Sequence, residues 1–254
     1  MTKVNVITSM ALLLIWAGSS YAATTKSVDY KAVESADEAQ LREEAVSQLQ
    51  QATETNILVQ TREQIIAAKV ADNNSGSKSA QKISSFSAHN YYHEFSFYDV
   101  ATYLLADDNY DGFYHSFSLD IDADVYGADV TESVPVYAEL YLSRNGGDWM
   151  HFYTTDVFYL QGDSSYDSYQ VTTSLETGYP TDHYDVLIDL YEVGYSDIVA
   201  TVSSYDLNSL YALPLQSRDR DNYNNNGGTF VTVNAGSMSA AGVIVLGVLA
   251  WRRR

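Results

Sequence analysis

The stretch Phe113-Tyr-His-Ser-Phe-Ser-Leu-Asp-Ile-Asp-Ala-Asp-Val125 decides the fold of this chain. Its odd-numbered positions carry apolar residues and one histidine, and its even-numbered positions carry a tyrosine, two serines and three aspartates. Successive side chains of a strand point to opposite faces, so this period of two predicts one long strand with an apolar face and an acidic face. His115 falls on the apolar face, where we expect it in the core with a hydrogen-bond partner.

Further strands are predicted on both sides of this stretch. Residues 134–142 alternate in the same way, and Asn145-Gly146-Gly147 is typical of a hairpin turn into a strand at residues 148–153. Five more short strands are predicted at 91–98, 155–160, 169–174, 186–191 and 198–203. Roughly eight short strands separated by turn signals predict a mainly β protein, an antiparallel, jelly-roll-like β-sandwich at residues 83–217.

The segment before this domain has a different composition. Residues 23–34 show no clear period, and Ser35-Ala-Asp-Glu38 then matches a helix capping box. Ala, Gln, Glu, Leu and Ile dominate from there to Val70, without Pro or Gly, which predicts one long N-terminal helix at residues 36–70. Residues 72–79 have the composition of a flexible linker. Residues 23–82 are therefore interpreted as a helical preface with a linker, the helix being either a stalk or packed on the domain.

Both ends of the chain have the composition of targeting segments. Lys3, the apolar run from Val4 to Gly18 and the small residues before position 23 predict a secretory signal peptide, residues 1–22, cut after Ala22. Residues 218–234 are polar and Asn-rich, as in a tether. Residues 235–254 comprise small residues, a short apolar run and three terminal arginines, a composition that is typical of a C-terminal membrane anchor.

The charge balance limits the partners of the exported part. The formal net charge of the chain is −19, and residues 83–217 contain 22 acidic residues against one base, Arg144. Nucleic acid is excluded as a partner, because phosphate backbones are bound by Lys and Arg. The acids either keep the protein soluble or bind divalent cations. With no cysteine in the chain, disulfides and cysteine-based metal or catalytic sites are excluded as well.

One short motif is a candidate metal site. Asp107, Asn109, Asp111 and Gly112 match the start of a calcium loop, D-x-N-x-D-G. An EF-hand has a glutamate at the twelfth position, where this chain has Ser118, so the prediction is a Ca²⁺-stabilised β-turn completed by the carbonyl oxygen of Phe113. The alternative is a hairpin in which these side chains serve turn geometry alone.

Two surface features suggest further hypotheses. Asp120, Asp122 and Asp124 share one strand face, which is either an exposed solvated face or a metal-binding face. Tyr137, Tyr141 and Tyr191 either stack on the sugar rings of a glycan or surface ligand, or are covered by another element. Among enzyme motifs, the sequence has no zinc H-E-x-x-H, nucleophile elbow, phosphate loop or dinucleotide fingerprint, and we therefore expect a protein that is not an enzyme.

Two resemblances extend these expectations. The tail resembles a GlyGly-CTERM signal, with Ala235-Gly236 in place of Gly-Gly. The resemblance implies that residues 235–254 are a sorting tail rather than a permanent anchor, cut near Gly236-Ser237 by a sorting protease of the rhombosortase type, and that export uses type II secretion machinery. Residues 107–124, 136–142 and 182–191 resemble choice-of-anchor H family proteins, over about residues 85–215.

Together these features predict a non-enzymatic protein of a Gram-negative bacterium with a binding or envelope-structural role. It would pass through an inner-membrane intermediate, attached to the membrane by its C-terminal tail, to the cell surface or the medium. The alternatives are a calcium-dependent carbohydrate- or surface-binding module and a secreted hydrolase.

Overall fold

A computed structural model describes residues 22–32, 38–75, 93–127 and 132–221. Ser35, the capping residue of the predicted capping box, the apolar part of the predicted signal peptide, and Gly236 and Ser237 of the tail lie outside these ranges. None of the helices in the described part of the chain combines the length and apolar composition that crossing a membrane requires.

The described residues form eleven strands and three α-helices. The strands are β1 (Ala22–Lys31), β2 (Thr55–Leu58), β3 (Glu94–Ala106), β4 (Ser116–Tyr126), β5 (Val134–Arg144), β6 (Met150–Thr154), β7 (Phe158–Leu160), β8 (Tyr169–Thr177), β9 (Asp182–Glu192), β10 (Ile198–Ser203) and β11 (Leu213–Leu215). The helices are α1 (Glu38–Gln51), α2 (Arg62–Ser75) and the short α3 (Arg218–Asp221).

The strands build two antiparallel sheets. Sheet A has the order β2-β1-β8-β4-β3, and sheet B has the order β10-β9-β5-β6, with β11 paired to β9 and β7 paired to β5. Apolar side chains of both sheets form one hydrophobic core, in which Phe117 of β4 contacts Phe152 of β6 at 5.9 Å between ring centres. The mainly β part of the prediction, two antiparallel sheets in a sandwich, is confirmed.

The alternating residues of β4 face opposite sides of sheet A, as predicted. Phe117, Leu119 and Ile121 are at most 1% exposed and face the core, while the serines and aspartates lie on the opposite face of sheet A. The predicted hairpin after β5 is also present. Asn145 and Gly146 both have positive φ, 51° and 68°, as a two-residue turn that matches strand twist requires.

The prediction of one long N-terminal helix is wrong. Helix α1 ends at Gln51, β2 follows at Thr55–Leu58, and α2 begins only at Arg62. The interruption has a physical reason, because Thr53, Thr55, Ile57, Val59 and Thr61 place β-branched residues at alternate positions. Such residues restrict side-chain rotation in a helix and pack well in a strand. Helix α2 also extends to Ser75, into the stretch predicted as a linker.

The segment before α1 is part of the sandwich. Residues 22–31 form β1, which pairs with β8 from Thr24 to Lys31 and with β2 through its first four residues. Residues 23–82 are therefore not a helical preface, since two strands of sheet A come from them. Strand β1 is hard to predict from the sequence, because many of its residues are polar and its alternation of apolar and polar residues is weak.

Candidate cation site

His115 precedes β4 and is 1% exposed. Its backbone is held on two sides, because its N–H donates to the carbonyl oxygen of Ala106 at 2.9 Å and its carbonyl oxygen accepts from Leu175 at 2.8 Å. These bonds attach His115 to the end of β3 and to β8. The predicted burial of His115 with a partner is confirmed, and the partner is Asp221.

Asp221 is the last residue of α3 and is fully buried. Its Oδ2 pairs with Nδ1 of His115 and accepts the backbone N–H of Asp108 at 2.9 Å. Its Oδ1 accepts the backbone N–H of Asn109 at 3.0 Å and Nε2 of Gln216 at 3.2 Å. One carboxylate thus connects α3 to the loop after β3 and to the start of β4.

The interpretation of residues 218–221 as part of a polar tether is wrong. They form α3, which packs against β8, and Arg218 lies 3.4 Å from Oε1 of Glu176. The acidic and Asn-rich composition of this region predicts exposure, and nothing local in the sequence indicates that Asp221 is buried. Apart from Gln216, its partners Asp108, Asn109 and His115 are more than 100 residues away along the chain.

The predicted calcium loop is a tight turn whose side-chain oxygens accept its own N–H groups. Oδ2 of Asp107 accepts from Gly112 at 3.0 Å, Oδ1 of Asn109 accepts from Asp111 at 2.8 Å, and Oδ1 of Asp111 accepts from Phe113 at 2.8 Å. Gly112 has φ +89°, which permits the sharp bend. These bonds agree with the alternative interpretation, a hairpin in which the side chains serve turn geometry. A carboxylate oxygen that accepts one N–H still has a lone pair with which to bind an ion.

The amide of Gln216 lies where several of these oxygens meet. Its Nε2 is 3.3 and 3.4 Å from the two carboxylate oxygens of Asp111, 3.2 Å from the carbonyl oxygen of Phe113 and 3.2 Å from Oδ1 of Asp221. Two of the predicted calcium ligands, Asp111 and Phe113, therefore share a protein donor. Gln216 is 1% exposed, and Thr181 donates to its Oε1 at 2.8 Å, which holds the amide in this orientation.

Three groups beside this loop have the geometry of a candidate metal site. Asp108, His115 and Asp221 each offer one ligand atom, and these atoms all lie within 4.8 Å of one another. Asp108 is exposed, and its side chain makes no hydrogen bond to the described residues, so its carboxylate is free to bind an ion. A histidine nitrogen with two carboxylate oxygens is a donor set that suits Zn²⁺. The His115–Asp221 hydrogen bond would have to open to admit the ion.

The acidic face of β4 is less exposed than a solvated edge would be. Strand β4 lies between β8 and β3, and Asp124 is 6% exposed, while Asp120 and Asp122 are half-buried. Burial, followed by repulsion from Asp124 and Asp167, raises the pKa of Asp122 to about 6. Among the described residues no set of three ligand atoms on this face lies within the distance found for Asp108, His115 and Asp221.

The predicted tyrosine face is covered by α2. Tyr141 and Tyr191 are fully buried, and Tyr137 and Tyr191 are stacked with 5.2 Å between their ring centres. Nζ of Lys69, from α2, lies 4.7 and 4.5 Å above these two stacked rings. Covering by another element, the second interpretation of these tyrosines, is therefore the observed one, and the buried rings are not available for stacking on a glycan.

Comparison with known proteins gives little further information. No family model and no curated protein matches the chain. Among solved structures, it is similar to the crystal structure of a domain of the outer membrane lipoprotein Omp28 from Porphyromonas gingivalis. The TM-score is 0.29 and the identity 8%, over 54% of this chain and 100% of that chain. A likeness this remote assigns neither a fold nor a function.

Proposed function

We propose that this chain is an exported, non-enzymatic β-sandwich protein, displayed on the cell surface or secreted, with a binding or structural role in the cell envelope. The targeting features of its ends and the acidic excess of the sandwich support this proposal. Cleavage after Ala22 would remove only the first residue of β1, so the export signal and sheet A overlap by that one residue. The sorting protease and the secretion machinery implied by the tail belong to the same proposal.

The main observation behind the proposed binding role is that ligand atoms of Asp108, His115 and Asp221 lie within 4.8 Å of one another. We propose that a divalent cation binds there and fastens α3, where the sandwich leads into the C-terminal segment, to the β3–β4 loop. Zn²⁺ is the first candidate, because the site includes a histidine nitrogen. Ca²⁺, the ion predicted from Asp107, Asn109, Asp111 and Phe113, is the second, because that loop supplies oxygen atoms only.

Thermal unfolding of the full chain tests the cation site. A ligand that binds only the folded state stabilises it by about 2.7 kcal/mol at a hundredfold excess over its dissociation constant. We expect the midpoint to rise with Zn²⁺ and to fall with a chelator. The rise should be lost in Asp108→Asn, which removes a ligand without removing a hydrogen bond of the described structure, and kept in Asp107→Asn.

Two other outcomes would contradict the proposed Zn²⁺ site. A rise with Ca²⁺ that is lost in Asp107→Asn and kept in Asp108→Asn would place the ion in the loop. No rise with either ion would overturn the cation site and leave Asp221 as an anchor that acts through hydrogen bonds alone.

Export and sorting are tested separately in cells. We expect Gly236→Leu with Ser237→Leu to retain the tail and to leave the protein in the membrane, inaccessible to protease added outside intact cells. In the matched control, Gly227 and Gly228 are changed to Leu, because these two glycines lie too far upstream to form the sorting motif. Equal surface exposure of the two double variants would contradict the sorting proposal.

A further inference from the structure

The two sheets are joined along one side by the connection between β2 and α2. Strand β2 lies at one edge of sheet A, and Thr61, shortly after it, forms a β-bridge with Met150 of β6, which lies at one edge of sheet B. The N–H of His151 donates to the carbonyl oxygen of Gln60 at 2.8 Å, and the N–H of Arg62 donates to that of Trp149 at 2.9 Å. A groove of about 570 Å³ lies at this corner, between β1, β2, α2 and β6.

A hydrogen-bonded cluster around Glu139 forms one wall of the groove. Oε1 of Glu139 lies 2.7 Å from Nζ of Lys69, and its Oε2 lies 2.7 Å from Nε2 of His151 and accepts from Oγ1 of Thr154 at 2.5 Å. Burial raises the pKa of Glu139, but the bonds from His151, Lys69 and Thr154 outweigh it and hold the pKa below its ordinary value. The carboxylate is therefore ionised, and the charge of Lys69 balances it.

The remaining walls combine hydroxyl and amide groups with apolar surface. The polar side chains include Ser27, Thr55, Asn56 and Gln60. The apolar ones are Ile57, Ile65 and Ala68. Thr55 and Gln60 are exposed, and their side chains make no hydrogen bond to the described residues, so both are free to bind a ligand.

We propose that this groove is a binding site for a neutral polyhydroxylated molecule the size of one or two sugar rings. Its volume lies within the roughly 300–1,000 Å³ typical of ligand sites. A sugar ring has hydroxyl groups at its edge and C–H groups on its faces, which matches a groove with polar and apolar walls. The site shares no residue with the cation site, so either proposal can fail without the other.

The groups that line the groove disfavour anionic, cationic and wholly apolar ligands. An anion would face the carboxylate of Glu139, and a cation would face the ammonium group of Lys69. A wholly apolar ligand would displace water from Thr55, Gln60 and the other polar groups without replacing its hydrogen bonds, which is costly. A neutral ligand with many hydroxyl groups meets none of these penalties.

The test is calorimetric titration of the full chain with named probes. We use maltose, cellobiose and N-acetylglucosamine as neutral probes and galacturonic acid as an anionic one, each up to about 10 mM. The variant Ala68→Phe fills the groove from an exposed position of α2. Its matched control, Ala67→Phe, makes the same change at the neighbouring exposed position, which does not line the groove.

We expect at least one neutral probe to bind, with its affinity reduced tenfold or more in Ala68→Phe and unchanged in Ala67→Phe. Binding that survives in Ala68→Phe would place the sugar elsewhere and overturn the assignment of the groove. Absence of binding by all neutral probes, or tighter binding of galacturonic acid, would overturn the proposed ligand class. Unfolding midpoints of both variants verify that each remains folded.

Discussion

At the residue scale, the acidic face of β4 holds carboxylates where charge is unfavourable. Asp122 pairs with Asp99 across the β3–β4 ladder, and its Oδ1 is buried without a hydrogen-bond partner among the described residues. Asp120 and Asp124 lie two residues away on the same face. An ionised Asp122 is therefore poorly solvated and repelled by its neighbours, and the folded state favours its neutral form.

We predict that Asp122→Asn stabilises the protein at neutral pH. Because the folded-state pKa of about 6 is above the ordinary 3.8, Asp122 favours folding below about pH 4 and loses that contribution as the pH rises through 6. The asparagine variant should unfold at a higher temperature than the natural chain at pH 7.5, and its advantage should vanish below pH 4. Circular dichroism melts across this range measure the effect, with Asp148→Asn, an exposed position, as control. An advantage that is independent of pH would contradict the prediction.

Gly178 shows how closely β1 approaches the end of β8. Its φ is +92°, and an added Cβ would lie 3.0 Å from Cα and Cβ of Ala23 and 3.1 Å from the carbonyl oxygen of Ala22. Gly194 has a similar φ, +97°, but an added Cβ there meets nothing within 4 Å. The two glycines therefore separate backbone strain from contact with β1.

We predict that both Gly178→Ala and Gly194→Ala lower the free energy of unfolding, each by about 1–3 kcal/mol through the positive φ. Gly178→Ala should cost more, because the start of β1 has to move away from the added methyl group. Urea unfolding followed by tyrosine fluorescence measures both changes. Equal losses would mean that β1 accommodates the methyl group freely.

At the element scale, α2 is attached to sheet B by ion pairs as well as by its apolar side chains. Nε and Nη2 of Arg62 donate to the two oxygens of Asp189 at 2.7 and 2.9 Å, and Asp189 is fully buried in β9. Thr201 also donates to Asp189, at 2.7 Å. Together with Lys69 above the stacked tyrosines, these bonds fix the position of α2 over the outer face of sheet B.

We predict that Arg62→Met destabilises the fold by about 3 kcal/mol, because it leaves the buried charge of Asp189 with Thr201 alone. Arg144→Met is the matched control. That side chain is about half exposed and lies 3.8 Å from Asp182, so its loss should cost less than about 1 kcal/mol. Chemical denaturation of both variants measures the difference, and similar losses would show that Arg62 contributes no more than a surface pair.

At the scale of the whole molecule, the first described strand completes a sheet whose other members come from much later in the chain. Strand β1 lies between β2 and β8, so both of its edges are hydrogen-bonded. Without it, β8 would present an unpaired edge and β2 would have no partner strand. Residues 22–31 are therefore an integral part of the sandwich and do not merely precede it.

We predict that a chain lacking residues 23–31 loses the cooperative unfolding transition of the natural chain. A synthetic peptide of residues 22–31 added in trans should restore it, since the peptide supplies the missing hydrogen-bond partners of β8. Differential scanning calorimetry with and without the peptide measures both effects. A deletion variant that unfolds with the natural midpoint would show that β1 is dispensable.

Local patterns in the sequence determine β4, β5 and the Asn145-Gly146 turn, because alternation and positive φ are properties of neighbouring residues. They also reveal the turn at residues 107–113, whose side chains bind its own backbone. The break between α1 and α2 has a local sequence signal, the alternating β-branched residues. The helix-forming composition on both sides of them led to the prediction of one continuous helix. The pairing of β1 with β8 left only a weak one.

Only the tertiary structure decided the rest. Asp221 joins His115 and Asp108 across more than 100 residues, and Glu139 meets Lys69 through the packing of α2 on sheet B. The burial of Tyr141 and Tyr191 follows from that same packing. In each case the environment of a side chain depends on which distant element covers it, and the spacing of residues along one strand or helix does not contain that information.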